Sequence, residues 1–129
     1  MYRVSAKAII YNDKKEFLLI KDHNWIWDFP WGWIEFSETP HEAILREIYE
    51  ELWIKWAIVN DKIITFFKYY MDDVKLWIWM VYYEVKLPEW AVVKTWDHEC
   101  LEYWYFSIDN AKWLNLHNNV KWFIEYLSW

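Results

Sequence analysis

A chain of 129 residues with one glycine, Gly32, has almost no residue that enters left-handed backbone without strain. Every tight turn or helix end that needs a positive φ must place a side chain there. At an average glycine usage of ~7%, a chain this long would carry roughly nine. This one carries 14 tryptophans, so the missing glycines and the surplus tryptophans are similar in number. Several tryptophans follow turn-type residues, in Asn24-Trp25, Lys55-Trp56, Glu89-Trp90, Thr95-Trp96 and Lys112-Trp113. Asn-Gly is a strong turn signal and Asn-Trp is not.

The length suits one domain with one core, spanning residues 1–129. A net charge of −6 argues against non-specific nucleic-acid binding, which needs a basic face to displace counterions. It leaves room for a nucleotide substrate, because a bound metal can carry the positive charge. The single cysteine, Cys100, excludes an internal disulfide framework and a cysteine-rich zinc site. It reads as a small, partly buried hydrophobe. Met1 to Asn12 alternates like a strand and runs straight into Asp13-Lys14-Lys15-Glu16, unlike a signal peptide. Charged residues interrupt every apolar run before it reaches bilayer-spanning length. A soluble cytoplasmic protein is expected, with neither a membrane nor a nucleic acid as partner.

Val4, Ala6, Ala8 and Ile10 alternate as in a strand, and Phe17 to Ile20 return after the turn at Asp13–Glu16. Asp22 to Trp25 forms a second turn. Phe29-Pro30 opens an irregular segment that runs to about Glu38. Thr39-Pro40 then starts a helix, with Thr39 as N-cap and Pro40 at the first helical position. Glu42 completes a capping box. Ala43, Ile44, Ile48 and Leu52 form its buried stripe. Ile58–Tyr70 and Val74–Leu87 are two long β-rich segments around Met71-Asp72-Asp73. Pro88 to His98 reads as a loop and Leu101–Ile108 as a strand. Asn118 or Asn119 caps a closing helix with Val120, Phe123, Ile124 and Leu127 inward. This order predicts an α/β domain, with a mixed sheet covered by helices.

On the predicted central helix, Glu47, Glu50 and Glu51 stand three and four positions apart, so their carboxylates share one face. Like charges at that spacing repel and call for compensation. Arg46 supplies part of it, and a divalent cation supplies more. Hard oxygen ligands suit Mg²⁺ or Mn²⁺ rather than zinc. The plain alternative is a solvated acidic helix face.

The residues around these glutamates extend the pattern. Gly32, Glu38, Arg46-Glu47-Ile48, Glu50-Glu51 and Ile54 resemble the Nudix box, G-x5-E-x7-R-E-U-x-E-E-x-G-U, where U is a bulky aliphatic residue. The match spans residues 32–54 and departs at Trp53, where the family has glycine. Phe29-Pro30 and Ile34-Glu35 are also typical of its surroundings. The resemblance implies a Nudix-type α/β/α sandwich. It implies that Glu47, Glu50 and Glu51, with the backbone carbonyl of Gly32, hold Mg²⁺ or Mn²⁺. It implies that Arg46 and Glu38 orient the catalytic glutamates through a salt bridge. The expected reaction is hydrolysis of the pyrophosphate bond in a nucleoside diphosphate linked to another group, such as a nucleoside triphosphate or a nucleotide sugar, releasing a nucleoside monophosphate. The general base is a box glutamate such as Glu47, or a carboxylate on a later loop, for which Glu99 is the candidate. His98 beside it reads as an exposed loop residue. Asn119 is the candidate contact to the nucleobase, with helix capping as the competing explanation. The partner is a small-molecule nucleotide, and the resemblance admits a homodimer. The alternative function is a non-catalytic Nudix-fold nucleotide-binding module, whose usual sign, loss of box glutamates, is missing here.

The resemblance also sharpens the tryptophan anomaly. Trp31, Trp33 and Trp53 fall where Nudix proteins usually carry glycine. A bulky residue at a left-handed helix end is strained by about 1–2 kcal/mol. Glycine is therefore expected at many of these positions in the natural protein, through a UGA codon that some bacterial lineages read as glycine and others as tryptophan. Trp27 is the best candidate for a genuine tryptophan.

Overall fold

The computed structural model describes residues 2–91 and 100–128. Strand β1 (Tyr2–Ile10) turns through Asn12–Glu16 into β2 (Phe17–Asp22). Two short strands follow, β3 (Trp27–Asp28) and β4 (Trp31–Trp33), and then helix α1 (Pro40–Leu52). The long strands β5 (Ile58–Met71) and β6 (Leu76–Lys86) form a hairpin. Strand β7 (Cys100–Phe106), the short helix α2 (Ile108–Ala111) and helix α3 (Asn118–Leu127) complete the fold.

The strands form two sheets, a four-stranded one in the order β4-β1-β6-β5 and a three-stranded one in the order β3-β2-β7. The first is mixed, because β1 runs parallel to β6 while its other pairings are antiparallel. The three-stranded sheet is antiparallel throughout. The expected mixed sheet is present, and the smaller sheet is an addition to it.

Strands β1, β2 and β6 are buried on both faces, and alternation sends neighbouring residues into two separate cores. Ile9, Leu19 and Tyr82 pack with Val120, Phe123 and Ile124 of α3. Ala8, Leu18 and Tyr83 share the other core with Ile44, Ile48 and Leu52 of α1. The strand layer therefore lies between α1 and α3, as an α/β/α sandwich requires. Phe29 anchors the α3 side, edge-on to Phe17, Tyr82 and Phe123. The fully buried Tyr82 hydroxyl is satisfied by donating to the Asn119 carbonyl at 2.9 Å.

Helix α1 follows its sequence signals closely. Thr39 Oγ1 accepts from the Glu42 amide at 3.1 Å, and Glu42 Oε1 accepts from the Thr39 amide at 2.9 Å. Its buried residues are Ala43, Ile44, Ile48 and Leu52. Three expectations need correction. The segment after Phe29-Pro30 is not irregular throughout, because Trp31–Trp33 pairs with Ser5–Lys7 of β1. The last strand stops at Phe106, because Ser107 caps α2 by accepting from the Asn110 amide at 3.2 Å. Neither Asn118 nor Asn119 caps α3. His117 does, its extended backbone placing Nδ1 where it accepts from the Asn119 amide at 3.3 Å. Thr39→Ala removes one half of the capping box and is expected to cost about 1 kcal/mol, read as a lower urea midpoint with unchanged slope.

Candidate active site

Gly32 lies at the centre of β4, buried, facing α1. Its close approach is steric in origin. A Cβ at this position would stand 2.1 Å from Glu47 Cγ and 2.6 Å from Glu47 Oε1. The backbone there is not left-handed, so glycine is needed for space rather than for conformation. The metal-loop glycine expected from the sequence is thus a strand residue packed against a helix glutamate.

Arg46 gathers the surrounding carboxylates. Its Nε donates to Glu38 Oε2 at 3.0 Å and its Nη2 to Glu38 Oε1 at 2.7 Å, a bidentate pair. Nη2 also donates to the Trp33 carbonyl at 3.1 Å, and Nη1 to Glu47 Oε1 at 2.6 Å. Glu50 Oε2 lies 3.5 Å from the same Nη1. One guanidinium therefore ties together the segment before α1, strand β4 and the acidic face of α1.

This contact sets the electrostatics. The Arg46 guanidinium holds the Glu38 carboxyl down at about 2, helped by the Glu35 amide. Arg46 is correspondingly raised, by its bond to Glu38 first. Burial pushes Glu47 above the usual carboxylate range, against the pull of Arg46, and the nearby Glu50 charge pushes the same way. Glu47 is therefore a partly desolvated acid held by a single cation, beside a second acid.

Glu51 lies half-buried on α1, close enough for its charge to favour the protonated form of Lys7. Among the described residues, no three His, Cys, Asp or Glu side chains converge into a finished metal cage. Glu47 is turned onto Arg46 instead. The donor set nevertheless fits a hard divalent cation. Three carboxylates share one helix face, and the missing Cβ at Gly32 lets that face sit against β4. Glu99 and His98 lie outside the described residues.

A second polar group lies on the other face of β1 and was missed in the sequence. Lys7, almost fully buried, lies 3.4 Å from Asp28 Oδ2. Asp28 Oδ1 accepts from Asn119 Nδ2 at 2.9 Å, and that Nδ2 is 2.6 Å from His117 Nδ1. Burial lowers the pKa of Lys7, and the Asp28 carboxylate opposes the shift. Ser5, Lys7, Asp28, Trp31, Trp33 and His117 are among the residues around a cavity of about 60 Å³. Asn119 thus reaches this region through Asp28 and His117, and its own side chain is fully buried. The signal available in the sequence was a lysine at an inward position of a buried strand.

A glutamate-bearing helix clasped by arginine onto a glycine-containing strand, inside an α/β/α sandwich, is the arrangement that the resemblance of residues 32–54 implied. The model of the NUDIX domain matches residues 1–129. The chain belongs to the Nudix hydrolase family. Among solved structures it is similar to the MutT protein of Methanosarcina mazei, with a TM-score of 0.81 and 24% identity over 98% of this chain and 93% of that one. It is also similar to the MutT NUDIX hydrolase of Burkholderia pseudomallei, at TM-score 0.80 and 19% identity over 97% of each chain. Likenesses this distant concern the fold. Among curated proteins, an RNA pyrophosphohydrolase of Hamiltonella defensa is 40% identical over 52 residues, 40% of this chain and 32% of that protein. One of Orientia tsutsugamushi is 27% identical over 97 residues, 72% of this chain and 60% of that protein. The matched stretches thus span from about a third to three fifths of these relatives. Among the described residues, no helix is long and apolar enough to cross a membrane.

Gly32→Ala should push Glu47 off Arg46 while leaving both cores intact. Thermal unfolding with and without Mg²⁺ reads the effect: a rise in Tm with the ion is expected for the parent chain, and most of it should be lost in the variant. An unchanged rise would show that the close approach plays no part in cation binding.

Proposed function

We propose that this protein hydrolyses the pyrophosphate bond of a nucleoside diphosphate linked to another group, with Mg²⁺ or Mn²⁺, and releases a nucleoside monophosphate. The observation that carries this reading is the clasp of Arg46 on Glu38 and Glu47 at the Gly32 contact. Phosphoryl transfer asks a protein mainly for positioning and charge neutralisation. The bidentate Glu38 pair fixes the guanidinium plane, and that plane in turn sets the direction of the Glu47 carboxylate. Glu47, Glu50 and Glu51 would hold the cation, which neutralises the diphosphate oxygens when bound. The raised pKa of Glu47 reflects a desolvated carboxylate, the kind of group whose charge a cation stabilises most. Glu47 and Glu99 are the two candidates for accepting the proton of the attacking water.

The net charge of −6 favours small nucleotides over an RNA chain, because phosphate contacts along a strand need basic residues. Several curated relatives carry the name RNA pyrophosphohydrolase, so a triphosphorylated RNA 5′ end belongs in the substrate panel. The panel is completed by the nucleoside triphosphates and ADP-ribose. Monophosphate or pyrophosphate release that requires Mg²⁺ is the expected result, and removal of the ion with EDTA should abolish it.

Glu50→Gln and Glu51→Gln should each lower kcat by about 100-fold while the protein stays folded, measured by product release at saturating Mg²⁺. Turnover at the unsubstituted rate in either variant would remove that glutamate from the proposed cation site. Metal-dependent nucleotide binding without any turnover, by the parent chain and by a form with glycine at positions 31 and 33 alike, would instead support a binding module.

A further inference from the structure

Among the described residues, five non-glycine residues have positive φ: Lys15, Trp25, Trp53, Trp56 and Lys75. Three of the five are tryptophan, at φ 65, 59 and 70 for Trp25, Trp53 and Trp56. Each stands in backbone that glycine enters without strain. Trp25 closes the turn after β2, where its amide donates to the Asp22 carbonyl at 3.0 Å and the Ile26 carbonyl accepts from the Asp22 amide. A left-handed residue ending such a turn is normally glycine. Trp53 ends α1 in the left-handed conformation, its amide donating to the Tyr49 carbonyl at 2.9 Å. That is the glycine position of a helix C-terminus. Trp56 makes the next left-handed step into β5.

The three indoles recover little from burial, with relative exposures of 64% for Trp25, 56% for Trp53 and 77% for Trp56. Trp27 is the opposite case. It is buried, has an ordinary backbone and packs edge-on against Phe106 at 5.0 Å. The strain is thus concentrated at particular tryptophans.

Trp31 and Trp33 offer a second and independent observation. They flank Gly32 on β4, so their side chains leave the strand on the face opposite Glu47. Their rings meet edge to face at 5.4 Å. Lys7 Nζ lies 4.4 Å from the Trp31 ring and Arg3 Cζ 4.1 Å from the Trp33 ring. Together they wall the cavity of about 60 Å³ beside Lys7, Asp28 and His117. That volume is too small for a nucleobase. Near it, Ser5 Oγ and Asn119 Oδ1 are buried with no hydrogen-bond partner among the described residues. Buried polar atoms of this kind usually have a partner.

We propose that the functional protein carries glycine at positions 25, 31, 33, 53 and 56, encoded by a codon that one genetic code reads as glycine and another as tryptophan. UGA is such a codon. At 25, 53 and 56 glycine removes the left-handed strain. At 31 and 33 it opens the cleft beside Gly32 and uncovers the buried Lys7, near the exposed Arg3, two cations suited to a diphosphate. Trp90 and Trp113 have no left-handed backbone and fall outside the proposal, and Trp96 lies outside the described residues.

The test has two arms, neither of which depends on hydrolysis. Trp25→Gly, Trp53→Gly and Trp56→Gly are compared with the parent chain by urea unfolding, with Trp27→Gly as the control. Each of the first three is expected to raise the ratio of folded to unfolded protein by about fivefold, and the control to lower it. A fall in the ratio for those three would overturn the proposal. The second arm reads the gene and the tryptic peptides of the protein made by its own cells. UGA codons with glycine in the peptides support the proposal, and UGG codons at the five positions overturn it. A glycine form that is more stable but hydrolyses nothing would leave this inference standing and remove the proposed function.

Discussion

The guanidinium of Arg46 is the contact on which the rest of the site depends. It meets Glu38, Glu47, Glu50 and the Trp33 carbonyl at once, and so joins strand β4, the segment before α1 and α1 itself within 18 consecutive residues. Without it, the acidic face of α1 would carry uncompensated repulsion and the segment from Ile34 to Glu38 would lose its main tether. The contact works because α1 can approach β4 closely, and that approach rests on the absence of one methyl group at Gly32. A steric vacancy and a charge cluster are therefore two parts of one design.

The scaffold explains why those parts meet. Thr39 and Glu42 start α1 at a defined residue, which places Arg46 and Glu47 about two turns into the helix. The stripe Ala43, Ile44, Ile48 and Leu52 fixes the rotation of α1 on the strand layer. Strand β1 carries the position of β4 through the pairing of Ala6 with Gly32. On its other face, Lys7 and Asp28 connect the same strand to the start of α3 through Asn119 and His117. The strand layer thus holds the acidic site on one side and the Lys7–Asp28 pair with its small cavity on the other.

Much of this was legible in the chain, for physical reasons that differ by element. Helix α1 has both a cap and an unbroken apolar stripe, so its limits and its buried face could be read residue by residue. The long hairpin of β5 and β6 was visible as two β-rich runs around an acidic turn. Strand β4 was not, because three residues give too short a run to show a period, and its pairing with β1 is set by the fold. The cap of α3 was misassigned because an imidazole Nδ1 accepts a hydrogen bond as an asparagine oxygen does. The polar group of Lys7, Asp28 and His117 joins residues up to 110 positions apart, a proximity that no local pattern encodes. At the acidic site, spacing and resemblance together indicated which residues lie near one another. The resemblance implied the salt bridge of Arg46 with Glu38, which is present; the close approach of Glu47 to Gly32 could not be read from spacing.

Glu38 is proposed to act on the candidate cation site through the orientation of Glu47. The most direct measurement is Mn²⁺ affinity, followed by the electron paramagnetic resonance signal of the free ion, in Glu38→Gln, Glu47→Gln and the double variant. If Glu38 works by positioning, Glu38→Gln weakens binding by about 10-fold or more, and adding it to Glu47→Gln costs nothing further. Fully additive losses, or a Glu38→Gln variant that binds Mn²⁺ as well as the parent, would contradict the account.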